Sequence, residues 1–237
     1  MIRLVLAIIV CVGHLAAIQG LGIYAVYGFF LLSGYGITLV ITEKYKGNIL
    51  AFYWRRIAKL YPLYLINWVL SVGLLRVIGI GGWHAMQIQE PWSILMIDRS
   101  WGSPIPQAWA IIIELLFYVL MSFGISTSSR RTFAWLGCSL ILSTADWGYY
   151  HPFTYSVWFA TGAAAYWMKI KIPKESGMAA ELSYPVFLSH YLIGALISSA
   201  FGISRGWPLF LVAMPVVIAF SWILTRIDRK VAVYAAG

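Results

Sequence analysis

Apolar residues run in long stretches along nearly the whole chain, separated by short polar or basic connections. A helix needs about 20 mostly apolar residues to cross a bilayer core about 30 Å thick. Stretches of that kind predict eight helices, at 2–18, 22–42, 61–80, 106–126, 132–149, 152–168, 180–200 and 207–225. The fifth and sixth are tightly joined near Asp146 to Pro152. Two connections are longer. In 43–60, Leu50, Tyr53, Trp54, Ile57 and Leu60 recur at helical spacing, and Arg55, Arg56 and Lys59 project from the same stretch. This predicts an interfacial amphipathic helix at about 49–60 leading into the third span. Residues 81–105 hold Gly81, Gly82, Trp83, Trp92, Trp101 and Pro104, and read as an ordered outer loop or a partly re-entrant segment. The expected fold class is all-α, a polytopic membrane helix bundle forming one domain over 1–237.

Composition agrees. The 237 residues are 61% hydrophobic and 11% charged, with mean hydropathy +0.81. Soluble domains carry about 25% charged residues. The formal charge of +9 could suggest nucleic acid, but the positions of the charges argue for a membrane surface. With the first residue in the cytoplasm and the helices alternating, all of the 17 Lys and Arg except Arg76, Arg99 and Arg205 fall on the inner side. Both termini are then cytoplasmic, and the basic residues face anionic headgroups. Arg3 before an apolar run resembles a signal peptide, yet no small-x-small cleavage site follows, so a retained first span is expected. Cys11 and Cys138 lie in apolar stretches, and neither a disulfide nor a metal site is expected from them.

Ionisable residues at membrane depth are costly and mark function. At 1.5 Å rise per residue, His14 lies about 16 Å from Arg3, Glu114 about 12 Å into its span and His190 about 15 Å into its own. Ser33 falls at a similar level. The shared depth suggests a common water-accessible cavity. Glu114 stands among apolar residues with no neighbouring cation in sequence, and a His on another helix is a natural partner. A His beside a carboxylate can serve as a general base. His84 and His151 read as surface residues. No G-x-S-x-G, H-E-x-x-H or Gly-rich phosphate loop is present, and no spacing signature points to a metal.

These residues bring a resemblance with them. Arg3 and His14 have ten residues between them. Gly28-Phe-Phe-Leu-Leu-Ser-Gly34 carries a Phe-Phe-x-x-Ser-Gly run. Arg56-Ile-Ala-Lys59-Leu-Tyr-Pro62 is a basic segment before the third span. Trp109-Ala-Ile-Ile-Ile-Glu114 continues to Tyr118, and Ser183-Tyr184 precedes His190. In this order, they resemble the acyltransferase-3 family of membrane acyltransferases, which acetylate bacterial surface glycans and related acceptors. The chain departs from the family in having fewer predicted helices and in placing Lys59 where the second Arg of the basic pair is usual, which loses a bidentate fork.

The resemblance implies an O-acetyltransferase of the bacterial inner membrane. It would use cytosolic acetyl-CoA as donor, with no metal, and a cell-surface glycan or lipid-linked sugar as acceptor. His14 and Glu114 would be catalytic. Arg3, Arg55, Arg56 and Lys59 would meet the polyanionic coenzyme A. Ser33, Asn67, Tyr118 and His190 would bind the thioester or acceptor. The implied partners are the bilayer, the carbohydrate and subunits of polysaccharide synthesis or export. A second reading is a non-catalytic subunit or flippase of an export system. A third is a haem subunit ligated by His14 and His190.

Overall fold

The computed structural model describes residues 1–45, 48–78, 91–96, 104–173 and 176–234. Among them are eight α-helices and no strand: α1 Ile2–Leu15, α2 Leu21–Leu39, α3 Ile49–Ile78, α4 Ala108–Leu120, α5 Ser129–Leu142, α6 Pro152–Trp167, α7 Met178–Phe201 and α8 Trp207–Tyr234. Short π-helical segments, Val40–Tyr45 and Met121–Ile125, extend α2 and α4. Most of the expected outer loop, with Trp83, His84 and Trp101, lies outside the described residues, as do Lys46, Arg99 and Lys174.

Among the described residues, five segments are long and apolar enough to cross a membrane: Leu21–Tyr45, Ile49–Leu74, Ala108–Ile125, Met178–Phe201 and Trp207–Ile227. Helices α1, α5 and α6 are shorter, at 14, 14 and 16 residues. The chain presents large apolar side chains outward, including Phe123, Phe201, Leu211, Ile223 and Ile141. Exposed apolar surface on this scale fits a lipid solvent.

Two boundaries differ from the sequence expectation for physical reasons. Helix α5 ends at Leu142 rather than 149. There Ser143 and Thr144 donate their hydroxyls to the carbonyls of Leu140 and Ile141, Asp146 Oδ1 accepts from Gly148 N–H, and Gly148 takes φ +80°. Side-chain bonds of this kind compete with helix continuation. Helix α3 is continuous from Ile49, so the basic segment and the third span form one helix despite Pro62. On it Phe52 is buried while Leu50, Trp54 and Ile57 are exposed.

The residues group into two compact units. The first comprises Met1–Ala25, Ile57–Trp109 and Glu175–Gly237. Here α1 packs on α7 and α8, which pack on each other. Ala7, Val10, Cys11 and Leu15 of α1 are buried, as are Val186, Leu188 and Ala195 of α7 and Ala213 and Val217 of α8. The last carbonyls of a helix lack partners within it. For α1 they are met by the α7–α8 turn: Arg205 Nε donates to the His14 carbonyl at 2.8 Å and Gly206 N–H to that of Leu15 at 2.8 Å. A cation at a helix C-terminus is also electrostatically favourable. Segment Pro91–Leu95 is tied to α3 through Ser93, whose Oγ accepts from Trp68 Nε1 at 2.9 Å and whose carbonyl accepts from Tyr64 Oη.

The second unit comprises Val26–Arg56 and Ala110–Lys174. Its centre is an aromatic stack: Phe159 of α6 lies against Phe30 of α2 at 4.7 Å and Phe117 of α4 at 4.1 Å between ring centroids. Trp135 Nε1 and the Ser139 hydroxyl of α5 both bond Ser156 Oγ of α6, at 3.0 and 2.7 Å. Helices α2 and α6 touch backbone to backbone. A Cβ at Gly34 would lie 2.1 Å from the Phe159 carbonyl oxygen, and one at Gly162 2.0 Å from that of Leu31. Small residues at such crossings are what allow membrane helices close approach.

Candidate functional site

Within the first unit, α1 and α7 bring two histidines into contact. His14 lies at the end of α1, one residue after Gly13. A Cβ at Gly13 would come within 2.8 Å of the Gly22 backbone nitrogen, so glycine there lets the start of α2 close over α1. His14 Nδ1 is 2.9 Å from His190 Nε2, with ring centroids 5.1 Å apart. His190 is fully buried, and its Nδ1 lies 2.8 Å from the carbonyl oxygen of Phe187, one turn back on α7. Tyr191 meets the His14 ring edge-on at 6.4 Å. The two ring nitrogens are in direct hydrogen-bond contact.

Two residues that sequence reasoning missed support this pair. Gln107 is buried, and its Nε2 donates to the Phe187 and Leu188 carbonyls at 3.2 and 2.6 Å. Arg205 holds the His14 carbonyl. Its signal was present: it is one of the few basic residues off the positive side, and an isolated cation there calls for a specific partner. Asn67 is also buried in this unit. Its Nδ2 donates to the Leu63 carbonyl at 2.9 Å, and its Oδ1 has no hydrogen-bond partner among the described residues. Arg3 is half-buried near the start of α1, and Lys59 is exposed on α3.

Within the second unit, α2, α3 and α4 build a carboxylate network. Ser33 Oγ donates to Glu114 Oε1 at 2.5 Å, and Tyr118 Oη donates to the same oxygen at 2.6 Å. Ser33 and Tyr118 are buried and Glu114 half-buried. Two donors aimed at one oxygen fix the orientation of the carboxyl group. Ser33 and Tyr118 are therefore engaged with Glu114 itself, whereas the sequence reading gave them to substrate. The ring of Tyr118 carries the network outward. The Arg56 guanidinium lies over it at 5.3 Å, and over Phe52 at 5.5 Å. Cation–π contact of this kind holds a guanidinium in place. Arg55, beside it, is exposed. The expected histidine partner of Glu114, His14, belongs to the first unit and is bonded to His190; Glu114 has its own two hydroxyl donors.

The fold and these groups define a class: a polytopic helical membrane protein with a histidine pair and a buried, hydroxyl-bound carboxylate. Comparison with known protein families matches residues 1–173 to the acyltransferase-3 family, described as an acyltransferase domain. The chain belongs to that family. The match includes Arg3, His14, Ser33, Arg56, Lys59, Glu114 and Tyr118, and it ends before α7 and His190. Comparisons with curated proteins and with solved structures give no match.

Proposed function

We propose that this membrane acyltransferase moves an acetyl group from cytosolic acetyl-CoA to a hydroxyl of a cell-surface glycan or lipid-linked sugar. The observation that carries the reading is His14: the last residue of the Arg3-x10-His pattern is held by a second histidine instead of packing inertly. When bound, acetyl-CoA supplies the acetyl group as a thioester, whose C–S bond breaks as the acceptor oxygen forms the new C–O bond. His14 takes the hydroxyl proton and delivers it to the departing sulfur. Glu114, oriented by Ser33 and Tyr118, is the second proton-handling or charge-balancing group. Asn67, with an unmatched buried carbonyl oxygen, suits a hydroxyl donor from the acceptor.

Arg56 fits the donor's phosphates. Stacked on Phe52 and Tyr118, it keeps N–H donors for phosphate oxygens, with Arg55 and Lys59 on the same helix. The inner, cytosolic face is the natural side for this cluster, with both termini cytoplasmic and the chain in a bacterial inner membrane. The tie between the end of α1 and the α7–α8 turn supports that alternation, since both then lie on the outer side.

The direct test is mass spectrometry of surface glycan from cells lacking the protein and from complemented cells. Loss and recovery of O-acetyl is expected, and an unchanged acetyl content overturns the reading. Two variants probe the roles. Glu114→Gln keeps an acceptor oxygen for Ser33 and Tyr118 but removes the charge. It should lower transfer about 100-fold, and near-normal transfer would remove Glu114 from the chemistry. Arg56→Ala should raise the KM for acetyl-CoA about 10-fold or more, the worth of a charge-assisted phosphate contact, without changing acceptor KM. Normal acetyl-CoA dependence would count against the cationic site.

A further inference from the structure

We infer that His190 is a positioning residue that holds His14 in the tautomer with its proton on Nδ1 and its lone pair on Nε2, and that Gly22 keeps the approach to that nitrogen open. The inference rests on the reading of His14 as the base.

The argument begins at a backbone carbonyl. A carbonyl oxygen only accepts, so the His190 Nδ1 that lies 2.8 Å from the Phe187 oxygen carries a proton. A ring with one proton keeps a lone pair on its other nitrogen. His190 Nε2 is thus an acceptor, and its partner at 2.9 Å, His14 Nδ1, is the donor. The proton of His14 is committed to Nδ1, and its basic lone pair sits on Nε2. One hydrogen bond three residues back along α7 therefore fixes the tautomer of a histidine on α1. In other bases a carboxylate has this orienting duty. A neutral imidazole does it here without adding a charge at membrane depth.

The orienting ring is itself held. His190 is fully buried, and Gln107 bonds the carbonyls of Phe187 and Leu188 on the same turn. At the other end, the freed nitrogen faces glycine. A Cβ at Gly22 would lie 3.7 Å from His14 Nε2 and 3.8 Å from Cδ2, in ordinary contact with no clash. A methyl group fits there, but it would cover the lone pair. Gly22 thus leaves a methyl-sized gap beside the one atom of His14 that a hydroxyl must reach.

The test combines a spectroscopic readout with acetyl transfer. Nitrogen-15 NMR of histidine-labelled, detergent-purified full-length protein reports the protonated nitrogen of each ring, and with only four histidines the signals can be assigned by single replacement. His14 is expected to be protonated on Nδ1. His190→Phe removes the acceptor: the Nδ1–H signature should be lost and transfer should fall at least about tenfold. His190→Gln, whose carbonyl oxygen can accept from His14, should restore both in large part. Gly22→Ala should keep the tautomer and the fold yet lower transfer; full activity would overturn the role given to Gly22. A proton on His14 Nε2 in the unaltered protein overturns the inference even if His190→Phe fails to fold, and it leaves His14 standing as a base. Undiminished transfer by His14→Ala would instead remove the reading beneath it.

Discussion

Replacing His14 by alanine should abolish O-acetylation while the protein is still made and inserted. A positioned general base contributes about 10²–10⁴ in rate. His190 is fully buried behind the His14 position, with its Nδ1 proton bound to the Phe187 carbonyl. A loss of about 100- to 10,000-fold is expected on that basis. The stability cost is smaller. One buried acceptor loses its donor, worth about 1–3 kcal/mol. Surface-glycan acetyl content measured beside membrane-protein abundance separates the two effects. Acetylation that survived the substitution would move the protein to the non-catalytic reading, a subunit or flippase of an export system.

The second large effect concerns folding. Gly34→Ala should prevent stable packing of the second unit. The added Cβ would meet the Phe159 carbonyl oxygen at 2.1 Å, and backbone cannot rotate aside as a side chain can. Overpacking in a well-filled core costs about 1–3 kcal/mol and at times more. Here relief requires α2 and α6 to separate, which would also loosen the Phe30–Phe159–Phe117 stack. Gly36, two residues on in the same helix, has no atom within 4 Å of a Cβ. Gly36→Ala should be neutral or slightly stabilising, since Ala exceeds Gly in helix propensity by about 1 kcal/mol. Thermal unfolding of both variants in detergent checks the contrast. Equal melting temperatures would show that the α2–α6 contact is not the constraint described.

Much of the fold was legible because lipid imposes one simple rule. Each span must hide its backbone in a helix, so an apolar run of fixed length nearly determines an element. The starts of α2, α4, α6, α7 and α8 fall within two residues of the apolar boundaries. The misses come where short polar side chains compete locally, as Ser143 and Thr144 do at the end of α5. The pairings within the candidate site were, with one exception, not legible. Depth along a span follows from counting. Which groups touch depends on helix rotation and crossing, and hydropathy carries neither. Hence the pairing of His14 with His190 and of Ser33 with Glu114 emerges only from the fold. One pairing was available in advance: Glu114 and Tyr118 are four residues apart and so share a helix face. The glycines of the Ser33-Gly34 run and of α6 were equally silent, because a close approach is visible only once its partner backbone is placed.

The contact between His14 and His190 spans 176 residues of sequence. During synthesis at about 5–20 residues per second, the first helix waits on the order of 10 s or more for its partner. Throughout that interval α1 is a 14-residue helix whose histidine, and whose terminal carbonyls, lack the groups that later meet them. This segment is thus completed only after α7 has been made. Nascent chains halted before α7 would leave the end of α1 without the groups that complete it.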